Sequence, residues 1–140
     1  AAELCLALYE AGVKHAASRG LILVDTKYEI GRRGGKLVVS DEIHTPDSSR
    51  YWFADTYQDL FAAGKDQRKI DKEYVREWLV AQGFRGDGTP PALPDEVRLE
   101  AARRYIQAYE VITGLEFKVT DEPVAERIAA ALKRKGYLKA

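Results

Sequence analysis

The chain has 140 residues, 46% of them hydrophobic, which suits one packed domain with its own core and not two large ones. Its 22 basic residues balance 22 acidic ones, so no global charge argues for nucleic acid or an anionic membrane as partner, and local sites must carry the function. The single cysteine, Cys5, excludes an internal disulfide and a cysteine zinc cluster; no apolar run reaches the ~20 residues of a membrane helix, and a reducing, cytoplasmic compartment is expected.

Residues 3–19 predict a helix, with Leu4, Leu8, Ala11 and His15 on one face and Gly20 as its C-cap. Cys5 and His15 are expected to pack or to lie on the helix surface, since neither has ligand partners. Residues 21–31, LILVDTKYEIG, predict one strand. Alternation puts Val24, Thr26, Tyr28 and Ile30 on one face and Asp25, Lys27 and Glu29 on the other. GRRGGK is a glycine-rich turn, and KLVVSDE a second strand that closes a hairpin. GRRGGK lacks the spacing and the following Ser/Thr of a P-loop.

The HTPDSSR stretch predicts a polar loop stiffened by Pro46. Helices are expected over 55–63, over 71–82 with Asp71 as N-cap, from Pro94 to Gly114, and near the C-terminus, where acids lead and bases trail. Val97, Ala101, Tyr105, Ala108 and Ile112 form the stripe of the longest one. A lone hairpin is marginal in water, so further strands are expected upstream. Residue 1 is Ala and the sequence contains no Met, which fits a chain with more sequence before it.

The charged row carries the chemistry. One of Asp41 and Glu42, at the end of the second strand, must join it; the choice falls on Asp41, with Leu37 and Val39 on the same face. Glu29 and Asp41 would then be paired carboxylates whose repulsion a hard divalent cation, Mg²⁺ above all, relieves. Lys27 beside them suits a phosphate or a substrate carboxylate. Asp47, Ser48, Ser49 and Arg50 follow within four residues and make a phosphate-binding turn or an ordinary polar one. Lys72 and Arg76 share a helix face at i, i+4 spacing. His44 has no visible partner, and a surface or structural role is expected for it.

Taken in order, GLILVDTKYEIG, DEIHTPDSSRYW, DKEYVREWL and YIQAYEVITG resemble the C-terminal half of the SAICAR synthetase family (phosphoribosylaminoimidazole-succinocarboxamide synthase). LILVDTKYEIG is similar to the family's apolar run followed by Asp-x-Lys-x-Glu-x-Gly, and TPDSSR to its second block. The resemblance covers most of residues 1–117. It implies an α/β (α+β), ATP-grasp-like fold, with residues 1–140 as the C-terminal lobe and the N-terminal ATP-binding half of the same enzyme as partner. It implies a cytoplasmic ligase of purine biosynthesis that joins L-aspartate to carboxyaminoimidazole ribonucleotide, with ATP as substrate and Mg²⁺ as cofactor.

Carried over position by position, the resemblance makes Glu29 and Asp41 the metal ligands. Together with Lys27 they bind the nucleotide. Asp25 and Lys27 become the catalytic pair near the imidazole carboxylate. Asp47 then faces the imidazole ribonucleotide, Ser49 and Arg50 hold its phosphate, and Lys72 and Arg76 add basic contacts. These residues alone are not expected to turn over. A non-catalytic nucleotide-binding module and a kinase-like phosphotransferase are the competing readings.

Overall fold

Helix α1 (Ala2–Ser18) runs through Gly20, at φ 70°, into strand β1 (Leu21–Thr26). That left-handed turn is cheap only for glycine. The computed structural model describes residues 1–70 and 73–138. Next come β2 (Glu29–Arg33), β3 (Lys36–Ser40), β4 (Ser49–Phe53), α2 (Ala54–Ala62), β5 (Lys69–Ile70), α3 (Glu73–Ala81), α4 (Asp95–Thr113) and α5 (Val124–Arg134). The mixture of helices and antiparallel strands is the α+β class expected from the sequence. The predicted N-cap Asp71 lies outside the described residues.

The expected single strand over 21–31 is two strands in two sheets. β1 pairs with β4, and β4 with β5, in a three-stranded antiparallel sheet of order β1-β4-β5. β2 pairs with β3 as a separate hairpin, closed by Gly34 and Gly35 at φ 57° and 77°, the backbone a tight hairpin turn demands. The chain breaks at Lys27 and Tyr28, so Asp25, Lys27 and Glu29 do not form one strand row. β4 and β5 extend the sheet of β1 within the chain.

Register explains how an apolar strand delivers an acid. Leu21, Leu23 and Asp25 would share a face under strict alternation. The pairing shifts between Leu23, opposite Tyr51, and Asp25, opposite Arg50. Such a bulge re-aims the side chains that follow it. Leu21 and Leu23 stay on the buried face with Tyr51, and Asp25 swings to the opposite face beside Arg50. Thr26, opposite Ser49, returns to the inner side.

The core is small: Ala16, Leu21, Leu23, Tyr51, Ile70 and Ala108, flanked by Tyr9, Phe53, Val111 and Ile112. α1 meets it through Gly12 and Ala16, not through the expected Leu4–Leu8–Ala11–His15 stripe; Ala11 and His15 are exposed. The reason is steric. A Cβ on Gly12 would sit 2.6 Å from His44 Nε2 and 2.8 Å from Leu23 Cδ2, so only glycine allows this approach. α4 buries Val97 and Ala108, while Tyr105 of its expected stripe is exposed. The C-terminal turn of α4 is tied to α1. Arg19 Nε donates to Val111 O at 3.1 Å, and His15 Nε2 lies 2.7 Å from Ile112 O. Both are basic groups on the last carbonyls of a helix. His15 is therefore structural, as expected.

Candidate active site

The face of β1 and β4 that does not enter the core opens into a cavity of about 340 Å³. Its walls come from the end of β1, the turn before β4, and the start of α3. Asp25, Lys27, Asp47, Ser49, Arg50 and Arg76, six of the residues singled out in the sequence, all line it. Asp25 and Arg50 thus meet because β1 and β4 pair across a long connection, and α3 brings Arg76 to them. Lys72 lies outside the described residues.

Charge in the cavity alternates. Arg50 Nε donates to both oxygens of Asp25, at 2.9 and 3.1 Å, and its terminal nitrogen closes a third bond to the same carboxylate. This two-pronged geometry is what a guanidinium offers and an ammonium does not. The Arg50 hydrogen bond is also the main reason the Asp25 carboxyl sits below the usual range. Asp25 is consequently a carboxylate near neutral pH, an acceptor and not an acid. Arg76, in turn, holds Glu73 at 3.0 Å.

Lys27 Nζ donates to Glu29 at 2.8 Å, and both side chains are half or more exposed. That bond, then the charges of Glu29, Asp41 and Glu42, raises the lysine above its ordinary range. Lys27 therefore acts as a fixed cation and not as a base. Glu29 bonds the lysine, and Asp41 and Glu42 are near enough for their charges to act on it, although none of the three lines the cavity.

The hairpin register corrects one expectation. Glu29 is opposite Ser40, so Gly31 and Val38 share its face, while Leu37 and Val39 belong with Arg32 and Ile30. Asp41 follows β3 at φ 66°, outside the strand's alternation. Among the described residues no group of three or more His, Cys, Asp or Glu could hold a metal ion. Glu29 and Asp41 can contribute at most a pair of carboxylates to one.

The turn from 44 to 49 is held by its own hydroxyls. Asp47 N and Ser48 N donate to Thr45 Oγ1, at 3.3 and 3.2 Å, and Thr45 N donates to Ser48 Oγ at 3.1 Å. Ser49, 4% exposed, donates from Oγ to Thr26 Oγ1 at 2.8 Å. Lys27 N donates to Ser48 O at 3.0 Å, which fixes the lysine's backbone to the turn. Ser49 thus anchors the turn from below, and Arg50 is the side chain it presents.

His44 is a packing residue. It has φ 58°, and with Asp41 it is the other non-glycine residue at positive φ among those described. Such strain persists only where surroundings enforce it. Here Gly12 receives the ring, the Tyr28 hydroxyl lies 2.6 Å from Nε2, and Tyr51 donates to the His44 carbonyl at 2.6 Å. Burial pushes the imidazole pKa down, which favours the neutral ring. Sequence reasoning left Thr26 and Glu73 unassigned in the cavity. Glu73 had a usable signal, its i, i+3 spacing to Arg76; Thr26 had none without the register shift.

Comparison with known proteins follows the same residues. A family profile described as SAICAR synthetase matches residues 1–91. A phosphoribosylaminoimidazole-succinocarboxamide synthase of Bacteroides thetaiotaomicron is 49% identical over 126 residues, 88% of this chain and 40% of that protein. Among solved structures, SAICAR synthase from Saccharomyces cerevisiae complexed with SAICAR superposes with a TM-score of 0.67 at 32% identity, over 84% of this chain and 38% of that one. A SAICAR synthetase in complex with ADP gives 0.55 at 30% identity, over 84% and 38%. The chain spans about two fifths of the length of these relatives.

Proposed function

Because the chain belongs to the SAICAR synthetase family, we propose that it forms one wall of the catalytic cleft of an ATP-dependent carbon–nitrogen ligase. The reaction joins L-aspartate to carboxyaminoimidazole ribonucleotide. The observation that carries this reading is the convergence of Asp25, Lys27, Asp47, Arg50 and Arg76 on one cavity. Residues 1–140 are then the C-terminal lobe. The remainder of the cleft, adenine pocket included, comes from sequence that these residues do not contain.

In this reading Arg50, held in place by Asp25, takes a phosphate of the imidazole nucleotide with its guanidinium fork. Arg76 adds charge from α3, and Asp47 faces the sugar and base. Lys27, kept protonated by the acids around it, neutralises the substrate carboxylate as it gains a phosphoryl group from ATP. The aspartate amine then attacks that carbon; the C–N bond forms, the C–O bond to phosphate breaks, and inorganic phosphate leaves. Placement and charge neutralisation are what these side chains supply.

Glu29 and Asp41 fit a magnesium ion by donor chemistry. Both are oxygen ligands, Glu29 already attracts a cation, and a pair of carboxylates leaves positions for water and phosphate, as Mg²⁺ prefers. When bound, the ion would supply charge neutralisation at the ATP phosphates. The lowered Asp25 and raised Lys27 keep the cleft in one charge state around neutral pH.

The deciding experiment is phosphate release by the complete protein with and without L-aspartate and the imidazole nucleotide. Release that needs both, with succinocarboxamide product, is the expected result. Transfer to a stable acceptor without aspartate would instead establish a phosphotransferase. Nucleotide binding with no ATP consumption would establish a non-catalytic module.

A further inference from the structure

The hydrogen bonds of the turn meet at one atom, Thr45 Oγ1. A threonine hydroxyl has one proton to give and two lone pairs to receive with. Here all are used. The proton goes to Glu42 Oε2 at 2.9 Å, the N–H groups of Asp47 at 3.3 Å and Ser48 at 3.2 Å donate to the oxygen, and Ser48 Oγ lies 3.3 Å from it. Glu42 belongs to the acidic set around Lys27. Asp47 and Ser48 belong to the cavity wall. One side chain therefore touches both halves of the site without lining the cavity itself.

The surroundings leave the turn few alternatives. Ser49 N donates to Thr45 O at 2.9 Å, and Tyr51 donates to the carbonyl of the preceding residue, His44, at 2.6 Å. Thr45 is thus seated on a backbone already fixed by β4 and by the ring packed on Gly12. Rotating its hydroxyl away would leave two backbone N–H groups and one carboxylate without that partner, and the loss costs most at Ser48 N, whose bond is partly buried, while water can reach Glu42 and Asp47.

We propose that Thr45 is a positioning residue that couples the acidic nucleotide end of the cleft to the phosphate-binding turn through its hydroxyl. The proposal rests on the ligase reading for its kinetic consequences, but not for its structural ones. Because Glu42 and the turn share one hydroxyl, occupation of either end biases the other. A ligand that draws Glu42 away removes the acceptor of the Thr45 proton, and the set of bonds that shapes the turn must rearrange. Such sharing is the physical requirement for coupling between two sites.

The test uses the complete protein and three variants. Thr45→Val keeps the shape and removes the hydroxyl; Thr45→Ser keeps the hydroxyl and removes the methyl; Glu42→Gln weakens one arm. Thr45→Val is expected to raise the KM values for magnesium–ATP and for the imidazole nucleotide together. kcat/KM should fall roughly 10- to 100-fold, the usual effect of losing a supporting hydrogen bond behind a site. Amide exchange at Asp47 and Ser48 should accelerate. Thr45→Ser restores all of these. Glu42→Gln shifts both KM values and the exchange in the same direction as Thr45→Val, by less, and adds nothing to Thr45→Val.

Unchanged KM values and unchanged exchange in Thr45→Val would overturn the proposal. So would a Thr45→Ser variant as impaired as Thr45→Val, or a loss confined to melting temperature. If the unsubstituted protein performs no ligation, the ligase reading fails. Exchange at Asp47 and Ser48, read in Thr45→Val and Glu42→Gln, then decides the coupling alone.

Discussion

The two β structures of this chain do opposite jobs. The three-stranded sheet buries Leu21, Leu23, Tyr51 and Ile70 and sets Asp25 against Arg50. The β2–β3 hairpin buries nothing; Leu37, Val38 and Val39 are 37–40% exposed. One is built by pairing across the chain, the other by a local glycine turn. The consequence is chemical. The cavity wall is shaped before any ligand arrives, whereas Glu29 stands on an exposed hairpin with Lys27 as its partner. Preorganisation belongs to the sheet, and adaptability to the hairpin.

The largest effect that separates them is on stability. Leu21→Ala removes a 2%-exposed side chain from the centre of the core and is expected to cost about 2–5 kcal/mol. Val39→Thr on the hairpin should stay within about 0.5 kcal/mol, as exposed substitutions do. Denaturant unfolding of the complete protein reads both. Equal losses would mean that the hairpin is buried against other parts of the protein, and the contrast would dissolve.

Next in size is the seat of the turn on α1. Gly12→Ala places a Cβ within 2.6 Å of His44 Nε2 and 2.8 Å of Leu23 Cδ2. Overpacking of that kind costs about 1–3 kcal/mol. It should also disturb the turn, because His44 leads directly into Thr45 and Pro46. A Gly12→Ala protein with unchanged unfolding and unchanged nucleotide KM would show that His44 moves aside without consequence.

Much of this was legible in the residues and some was not. The helices were visible because their stripes, acids and glycine stops are local signals; Gly114, at φ 73°, ends α4 where expected. The β2–β3 hairpin was visible for the same reason. β4 was not. SSRYWF alternates inner Ser49, Tyr51 and Phe53 with outer Arg50 and Trp52, but its inner row starts with a serine and its partner is more than twenty residues away. The bulge at Val24 was hidden as well, since only pairing reveals it. The cavity residues were nevertheless identified, because motif order survives an error in strand assignment. The face of Leu37 and Val39 was misread because parity cannot be counted across a turn whose register is unknown.

A smaller effect is expected from pH, and its sign follows from His44. Burial lowers its folded pKa, so the unfolded chain binds the proton more readily. Stability from this residue is fully present above the unfolded value, near 6.5. It is lost as pH falls from there toward the lower folded value. His44→Gln should flatten that slope in a plot of unfolding free energy against pH. An unchanged slope would assign it to other groups.

The smallest expected effect belongs to the pair at the centre of the proposed chemistry. Asp25 and Arg50 are about half exposed, at 49% and 60%, so solvent screens their attraction. A double-mutant cycle of Asp25→Asn and Arg50→Gln should give a coupling of no more than about 1 kcal/mol in stability. The Asp25 carboxyl is depressed. The coupling should therefore persist above the ordinary carboxylate pKa and vanish as pH falls through the lowered value. The same two substitutions should nonetheless lower kcat/KM far more than they lower stability, because ligand phosphate meets the guanidinium where water is displaced. If the stability coupling were large and the kinetic effect small, the pair would serve to lock β1 to β4. The preorganised wall would then be scaffold, and the exposed hairpin would carry the chemistry.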